Sequence, residues 1–182
     1  MFSVSTEPYS LLLHDRGLPA MADEYAKRAV VNDRFETERD GSDWCYVAVS
    51  NTKRSDWPFL TVTQRFWPCA GGFTPGVILV PETRLLLIGA GERLLAYDLE
   101  KPQMLWEDTA EFGFLCWARH HDTIVMSAEL ELAAWDLSGK KLWSTFVEPP
   151  WDYRICNGTL KLDVMGVESQ FDLIAGPTRF GT

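Results

Sequence analysis

Positive charge is scarce in this chain. Lys and Arg number 17 against 26 Asp and Glu, a formal net charge of −9. Nucleic acid and anionic membrane both require basic contact surface, so neither is an expected partner. The four cysteines, Cys45, Cys69, Cys116 and Cys156, stand far apart with no C-x-x-C pair, which excludes the usual zinc and dithiol redox spacings. Long apolar runs are lacking too. The opening MFSVSTEPYSLLLHDRG has three consecutive leucines and no basic leader, so we expect neither a secretory signal nor a membrane span. The expected location is cytoplasmic, with reduced and mostly buried thiols. Gly89-Ala90-Gly91 lacks the third glycine and the βαβ setting of a dinucleotide loop, and there is no Walker motif and no Gly-x-Ser-x-Gly elbow.

Aromatic residues, in contrast, are plentiful. Eight Trp, ten Phe and five Tyr stand among 182 residues that are 46% apolar, enough for one globular domain to bury a core without disulfides or metal. Such a load suits β-sheet cores and also binding surfaces.

The strongest signal is an internal repeat. LLLIGAGERLLAYDL at 85–99 returns as TIVMSAELELAAWDL at 123–137, with five of fifteen positions identical, and Leu105-Trp106 returns as Leu142-Trp143. A period of 37 to 38 residues belongs to repeat architectures such as propellers. Each copy reads as three short strands joined by hairpins. Gly89 and Gly91 are expected to supply positive φ at one turn, and Ser138-Gly139 makes a later turn in the second copy. Tyr97, Trp106, Trp135 and Trp143 are placed to stack between neighbouring sheets.

Ala96-Tyr97-Asp98 followed by Trp106, and Ala134-Trp135-Asp136 with Gly139 and Trp143, resemble the blade repeat of quinoprotein-type (pyrroloquinoline-quinone-like) β-propellers. The resemblance covers about residues 84–147. It implies that the Trp docks on the adjacent blade and that the Asp orders the turn. The first copy departs from the pattern, with Lys101-Pro102 where the glycine turn belongs. Two copies fall short of a closed ring, which typically needs four or more blades. The quinone is not carried over, and no cofactor is expected.

The remaining chain completes the expected organisation. LPAMADEYAKRAVV at 18–31 predicts one helix and NDRFETERDGSD at 32–43 a charged connector. WCYVAVS and FLTVTQRFW alternate as strands and resemble a worn third repeat over 44–83, while Asn157-Gly158 marks a closing hairpin within 148–182. The fold class is therefore mainly β. We expect an antiparallel meander of propeller-like hairpins, as a small or incomplete propeller or an open sandwich, with one N-terminal helix and all of 1–182 in a single domain.

Several constellations invite a chemical reading. Cys116 and His120 have a spacing compatible with zinc, but a structural zinc needs four ligands, no second pair is visible, and adjacent His120 and His121 on a strand would point to opposite faces. A polar turn is the better reading. Glu129 and Glu131 would share a strand face as acid-base partners do, yet they fall at a hairpin and read as exposed acidic decoration. Ten acidic residues lie between Glu92 and Asp136 against Arg93, Lys101 and Arg119. Two loops, RFWPCAGGFTPG with Phe66, Trp67 and Phe73, and EPPWDYR with Trp151 and Tyr153, set aromatics beside proline or glycine, a combination suited to binding anchors.

The leading reading is a non-enzymatic protein-binding module. It would meet a basic protein partner through Asp108, Glu129 and Glu131 on acidic hairpins and Trp67, Phe73, Trp151 and Tyr153 on aromatic loops. By size and charge alone it is analogous to small bacterial immunity factors. The alternative is an enzyme or small-ligand binder with a pocket at the repeat junction, using His120, Glu129 or Cys116. A third reading is a structural subunit joined to other copies through sheet edges.

Overall fold

The computed structural model describes residues 2–37, 39–69 and 72–178. It is a row of four sheets. The first contains β1 (Phe2–Thr6), β2 (Tyr9–His14), β3 (Val31–Phe35), β4 (Asp43–Asn51) and β5 (Ser55–Phe66) in the order β1-β2-β4-β5-β3. All neighbours are antiparallel except β3, which joins β5 in parallel. Three propeller-like blades follow, each a plain up-and-down meander. Blade 1 is β6 (Gly76–Val80), β7 (Leu85–Ala90), β8 (Arg93–Asp98) and β9 (Gln103–Thr109); blade 2 is β10 (Phe114–His120), β11 (Thr123–Ala128), β12 (Glu131–Asp136) and β13 (Lys141–Phe146). Blade 3 has β14 (Trp151–Cys156), β15 (Thr159–Val164) and β16 (Val167–Asp172).

The expected mainly β, propeller-like architecture is present, with local corrections. Each clear repeat is four strands rather than three, because the apolar runs 76–80 and 114–120 add a first strand. The helix α1 is only Ala22–Arg28. It ends early because Ala29 turns extended and Val30 donates to the Phe59 carbonyl at 2.8 Å, committing the next residues to β3. The charged connector thus begins as a strand at the sheet edge, where charged side chains are tolerated. Residues 2–42 contribute three strands as well as the helix, while both strands expected over 44–83 join the five-stranded sheet as β4 and β5, and the added strand β6 belongs to blade 1.

Alternation along the strands explains the stacking. Leu86, Ile88 and Ala90 on β7 face the five-stranded sheet, in a core with Leu11, Val47, Val49, Leu60 and Val62. Leu85 and Leu87 face the other way, toward Ile124 of blade 2. Val125, Leu132 and Ala134 of blade 2 pack in turn on Leu160 and Leu162 of blade 3. Strands β7 and β11 are therefore buried on both faces, and read as continuous apolar runs for that reason. The last face differs. Asp152, Arg154, Cys156, Lys161, Glu168 and Gln170 on the far side of blade 3 are exposed, and no described strand covers them. Among the described residues the row does not close into a ring.

Tryptophan docking repeats along the row. Trp106 Nε1 donates to the Gly139 carbonyl of the next blade at 2.7 Å, and Trp143 Nε1 donates to the Leu173 carbonyl of blade 3 at 2.7 Å. Trp106 also stacks on Trp135, with centroids 5.9 Å apart and planes 18° from parallel. Each receiving turn, and the corresponding turn of blade 1, is folded by an aspartate. Asp136 Oδ1 accepts the Ser138 and Lys140 N–H groups, and Asp98 Oδ1 accepts those of Glu100 and Lys101 despite the missing glycine. Asp172 Oδ1 does the same for Ile174 and Ala175. Phe171-Asp172-Leu173 with Gly176 is thus a third copy of the motif, unrecognised in the sequence because its aromatic is Phe and its glycine is displaced. An added Cβ at Gly176 would lie 2.4 Å from the Trp143 ring. Only hydrogen fits there.

Gly89 has a different role from the expected turn residue. It lies within β7, and Gly91 alone carries the positive φ, of 59°. A Cβ on Gly89 would meet the Phe114 ring at 2.5 Å, so this glycine makes the slot for a fully buried aromatic of blade 2. Asn157 and Gly158 both take positive φ, as their hairpin requires. Of the four thiols only Cys45 is buried, its pKa pushed up to about 12 by desolvation; Cys116 and Cys156 are exposed, contrary to expectation. They sit on the first strands of blades 2 and 3, at alternate positions that no neighbouring sheet covers.

Gly89→Ala should lower the melting temperature by several degrees, since overpacking costs about 1–3 kcal/mol and each kcal/mol is worth about 2–4 °C in a chain of this size. Adding Phe114→Leu should recover part of the loss in the same thermal melts; a loss unchanged in the double variant would refute the steric explanation. The Asp136 carboxyl has a pKa below its ordinary value. Desolvation would raise it, but the hydrogen bonds from Ser138 and Lys140 outweigh that cost. Its ionised form therefore stabilises the fold above the ordinary carboxylate range, and this contribution disappears as pH falls through the lowered value. The melting difference between the parent and Asp136→Asn should accordingly be larger at pH 7 than at pH 3.

Candidate functional site

Topology gathers the sequence-derived residues at one end of the row. The β7–β8 and β11–β12 hairpins lie there with the loops that pass from blade to blade, tied by backbone bonds from Ala110 to Glu92, Glu129 to Gly113, Leu130 to Glu111 and Val147 to Leu130. Trp67 and Phe73 stand where the five-stranded sheet meets blade 1. Asp108 and Glu131 lie between blades 1 and 2, and Glu129, Trp151 and Tyr153 lie between blades 2 and 3.

The first junction is the most elaborate. Gly91 lets the β7–β8 hairpin approach the end of β5, where an added Cβ would be 3.1 Å from Phe66 Cβ. Trp67, Phe73 and Phe112 form a chain of edge-on rings, at 6.4 Å and 6.2 Å. Phe73 is buried as the middle ring, packed against Gly113, whereas Phe112 is exposed and held at φ 69°. Sequence reasoning missed Phe112, whose signal was the Phe-Gly pair at 112–113. A bulky residue at positive φ costs of order 1–3 kcal/mol and tends to persist at functional positions.

Beside these rings opens a cavity of about 210 Å³ lined by Arg39, Arg65, Phe66, Trp67, Arg93 and Phe112, among others. Arg39 lies 3.6 Å above the Trp67 ring and pairs with Glu92 at 3.2 Å. Arg93 pairs with Glu107 at 2.8 Å and lies over Phe35. Arg65 rests against Trp44, and its Nε is buried with no hydrogen-bond partner.

The acidic candidates are less free than expected. Glu131 is buried, at 5% exposure, rather than exposed. It accepts the Glu111 N–H at 3.2 Å and lies 3.5 Å from Lys141, which also binds Asp108 at 2.9 Å. On β12 it pairs with Phe146, and Lys141, which pairs with Trp135, reaches it with its long side chain. Trp151 stacks on Tyr153 at 6.4 Å and donates to the Glu129 carbonyl at 3.0 Å. His120 faces Tyr153 at 6.2 Å, and its pKa is lowered by burial and then by His121. Cys116 does not join it in a ligand set: among the described residues no three metal-ligating side chains converge.

No protein-family model matches the sequence, and no curated protein gives a significant match. Solved structures with partial likeness include BamB from Moraxella catarrhalis, at 12% identity and a TM-score of 0.40, covering 75% of this chain and 44% of that one. Sqt1 from Saccharomyces cerevisiae gives 15% identity and 0.44, covering 72% and 41%. Hsv2p from Kluyveromyces lactis gives 12% and 0.39, covering 68% and 39%. The chain spans less than half the length of each, and likenesses this loose do not bear on function.

Lys141→Met should destabilise by about 1–3 kcal/mol, because it leaves the buried Glu131 carboxylate short of its cation. The double variant with Glu131→Gln should lose less than the two single losses added together, measured by urea unfolding. Simple additivity would show that the pair is not coupled.

Proposed function

We propose that this chain is a non-enzymatic protein-binding module whose contact surface is the loop end of the row. The observation that supports this reading is the arrival of both aromatic loops, distant in sequence, at that one end: Trp67 and Phe73 with exposed Phe112 at one junction, Trp151 and Tyr153 at another. Rigid aromatic groups give large contact area at low entropic cost. Glu129 beside Trp151, with Glu92 and Glu107 already paired to Arg39 and Arg93, gives a carboxylate for a basic partner, in keeping with the net charge of −9. Phe73 supports Trp67 and Phe112 from beneath, and Asp108 and Glu131 hold Lys141 between the blades. The tryptophan docking and aspartate turns favour the quinoprotein-type repeat as a binding scaffold without its quinone, in a cytoplasmic protein.

Trp67→Ala with Trp151→Ala should abolish recovery of a stoichiometric partner in a pull-down from the native source, while far-ultraviolet circular dichroism stays that of the parent. A partner retained at full yield by a folded double variant would refute this surface.

A further inference from the structure

The cavity between the five-stranded sheet and blade 1 has an electrostatic imbalance. Three guanidinium groups, Arg39, Arg65 and Arg93, line it in a protein of net charge −9. Two of them are held by one carboxylate each, Arg39 by Glu92 and Arg93 by Glu107. The Arg65 side chain has no ion pair or hydrogen bond among the described residues; its guanidinium lies against the Trp44 ring, and its Nε is shielded from solvent without an acceptor. A half-buried guanidinium with no carboxylate partner carries an uncompensated desolvation cost, which an anion meeting its terminal nitrogens from the cavity would relieve. Guanidinium forks match the planar, multi-oxygen geometry of carboxylate and phosphate, and are more weakly hydrated than ammonium.

We propose that this cavity is an oxyanion-binding site, taking a carboxylate or phosphate group carried on a flat apolar body. Arg65 contacts the oxyanion directly. Arg39 and Arg93, oriented by Glu92 and Glu107, add donors on either side, and the local balance of three cations to two carboxylates leaves room for one negative charge. Trp67 and Phe112 form the wall for the apolar part. A cavity of about 210 Å³ accommodates a small organic acid, or one acidic or carboxy-terminal group, rather than a nucleotide. This site shares Trp67 and Phe112 with the proposed protein-binding surface, but Arg65 is no part of that surface, so partner capture and anion binding can fail separately.

Benzoate and inorganic phosphate, titrated at constant ionic strength against chloride, distinguish an acid with an apolar body from a bare oxyanion. Calorimetry on the intact chain should show saturable binding, tighter for benzoate, and weakened tenfold or more in Arg65→Gln. Arg119→Gln, which breaks a pair with Glu82 outside the cavity, should bind like the parent. Equal binding by the parent and Arg65→Gln, or no saturation beyond chloride with either anion, overturns the site. Should Arg65→Gln fail to fold, amide shifts in the parent decide: changes centred on Arg65, Gly91 and Phe112 support the site, and changes elsewhere or none overturn it.

Discussion

The row of sheets depends on the docking of one blade's tryptophan into the aspartate-folded turn of the next. A four-stranded meander with apolar residues on both faces has no stable existence alone, because each face needs a neighbour. Leucine and valine packing between sheets is favourable but tolerant of sliding. The indole N–H, part-buried at Trp106 and buried at Trp143, donates to the Gly139 and Leu173 carbonyls, and an unpaired buried donor costs about 1–3 kcal/mol. This polar pairing sets the register in which the apolar faces meet. Gly176 admits the Trp143 ring, and an aspartate gives each receiving turn its shape.

Much of this was legible in the sequence, for physical reasons. The Asp-Leu turns, the Leu-Trp pairs and the Asn-Gly hairpin are local: each depends on residues within one turn, so their chemistry shows in the spacing. Less legible were features fixed by distant contacts. Gly89 looks like a turn residue until Phe114 of the next blade is seen to fill the space above it. Residues 31–35, with Asn32, Asp33 and Arg34, look like a connector, but Asn32 accepts from Thr61 and Asp33 from Tyr97, and these partners make a parallel edge strand from a polar segment. Glu131 reads as surface charge because Lys141, its cation, is ten residues away and on another strand. The third copy was hidden by one aromatic exchange and by a shift of its glycine. Of the candidate site, the aromatic loops were visible as composition, but their meeting at one end followed from the stacking alone, and the arginine-lined cavity joins residues spread from 39 to 112.

Charge is distributed unevenly along the molecule. The carboxylate surplus is spread over hairpins and outer strands, while arginines concentrate where the first sheet meets the first blade. Exposed ion pairs such as Arg39–Glu92 contribute little to stability. Their effect is positional, since they restrict where long side chains point near a cavity wall built from rigid rings. The strain at Phe112 belongs to the same region, and the fold sustains it through the Gly113–Phe73 contact and the Phe114 N–H bond to the Gly91 carbonyl.

The far face of blade 3 has a consequence for assembly. Identical or similar layers that stack by complementary faces tend to grow head to tail without limit, the geometry that produces filaments. Here any further layer, from this chain or from another copy, would have to strip water from Asp152, Arg154, Lys161 and Glu168 with no matching charges on the apolar faces used at the other junctions. Addition at that end is therefore disfavoured by desolvation. The charged row acts as a stop signal, allowing a self-propagating interface to be used inside the molecule without spreading between molecules.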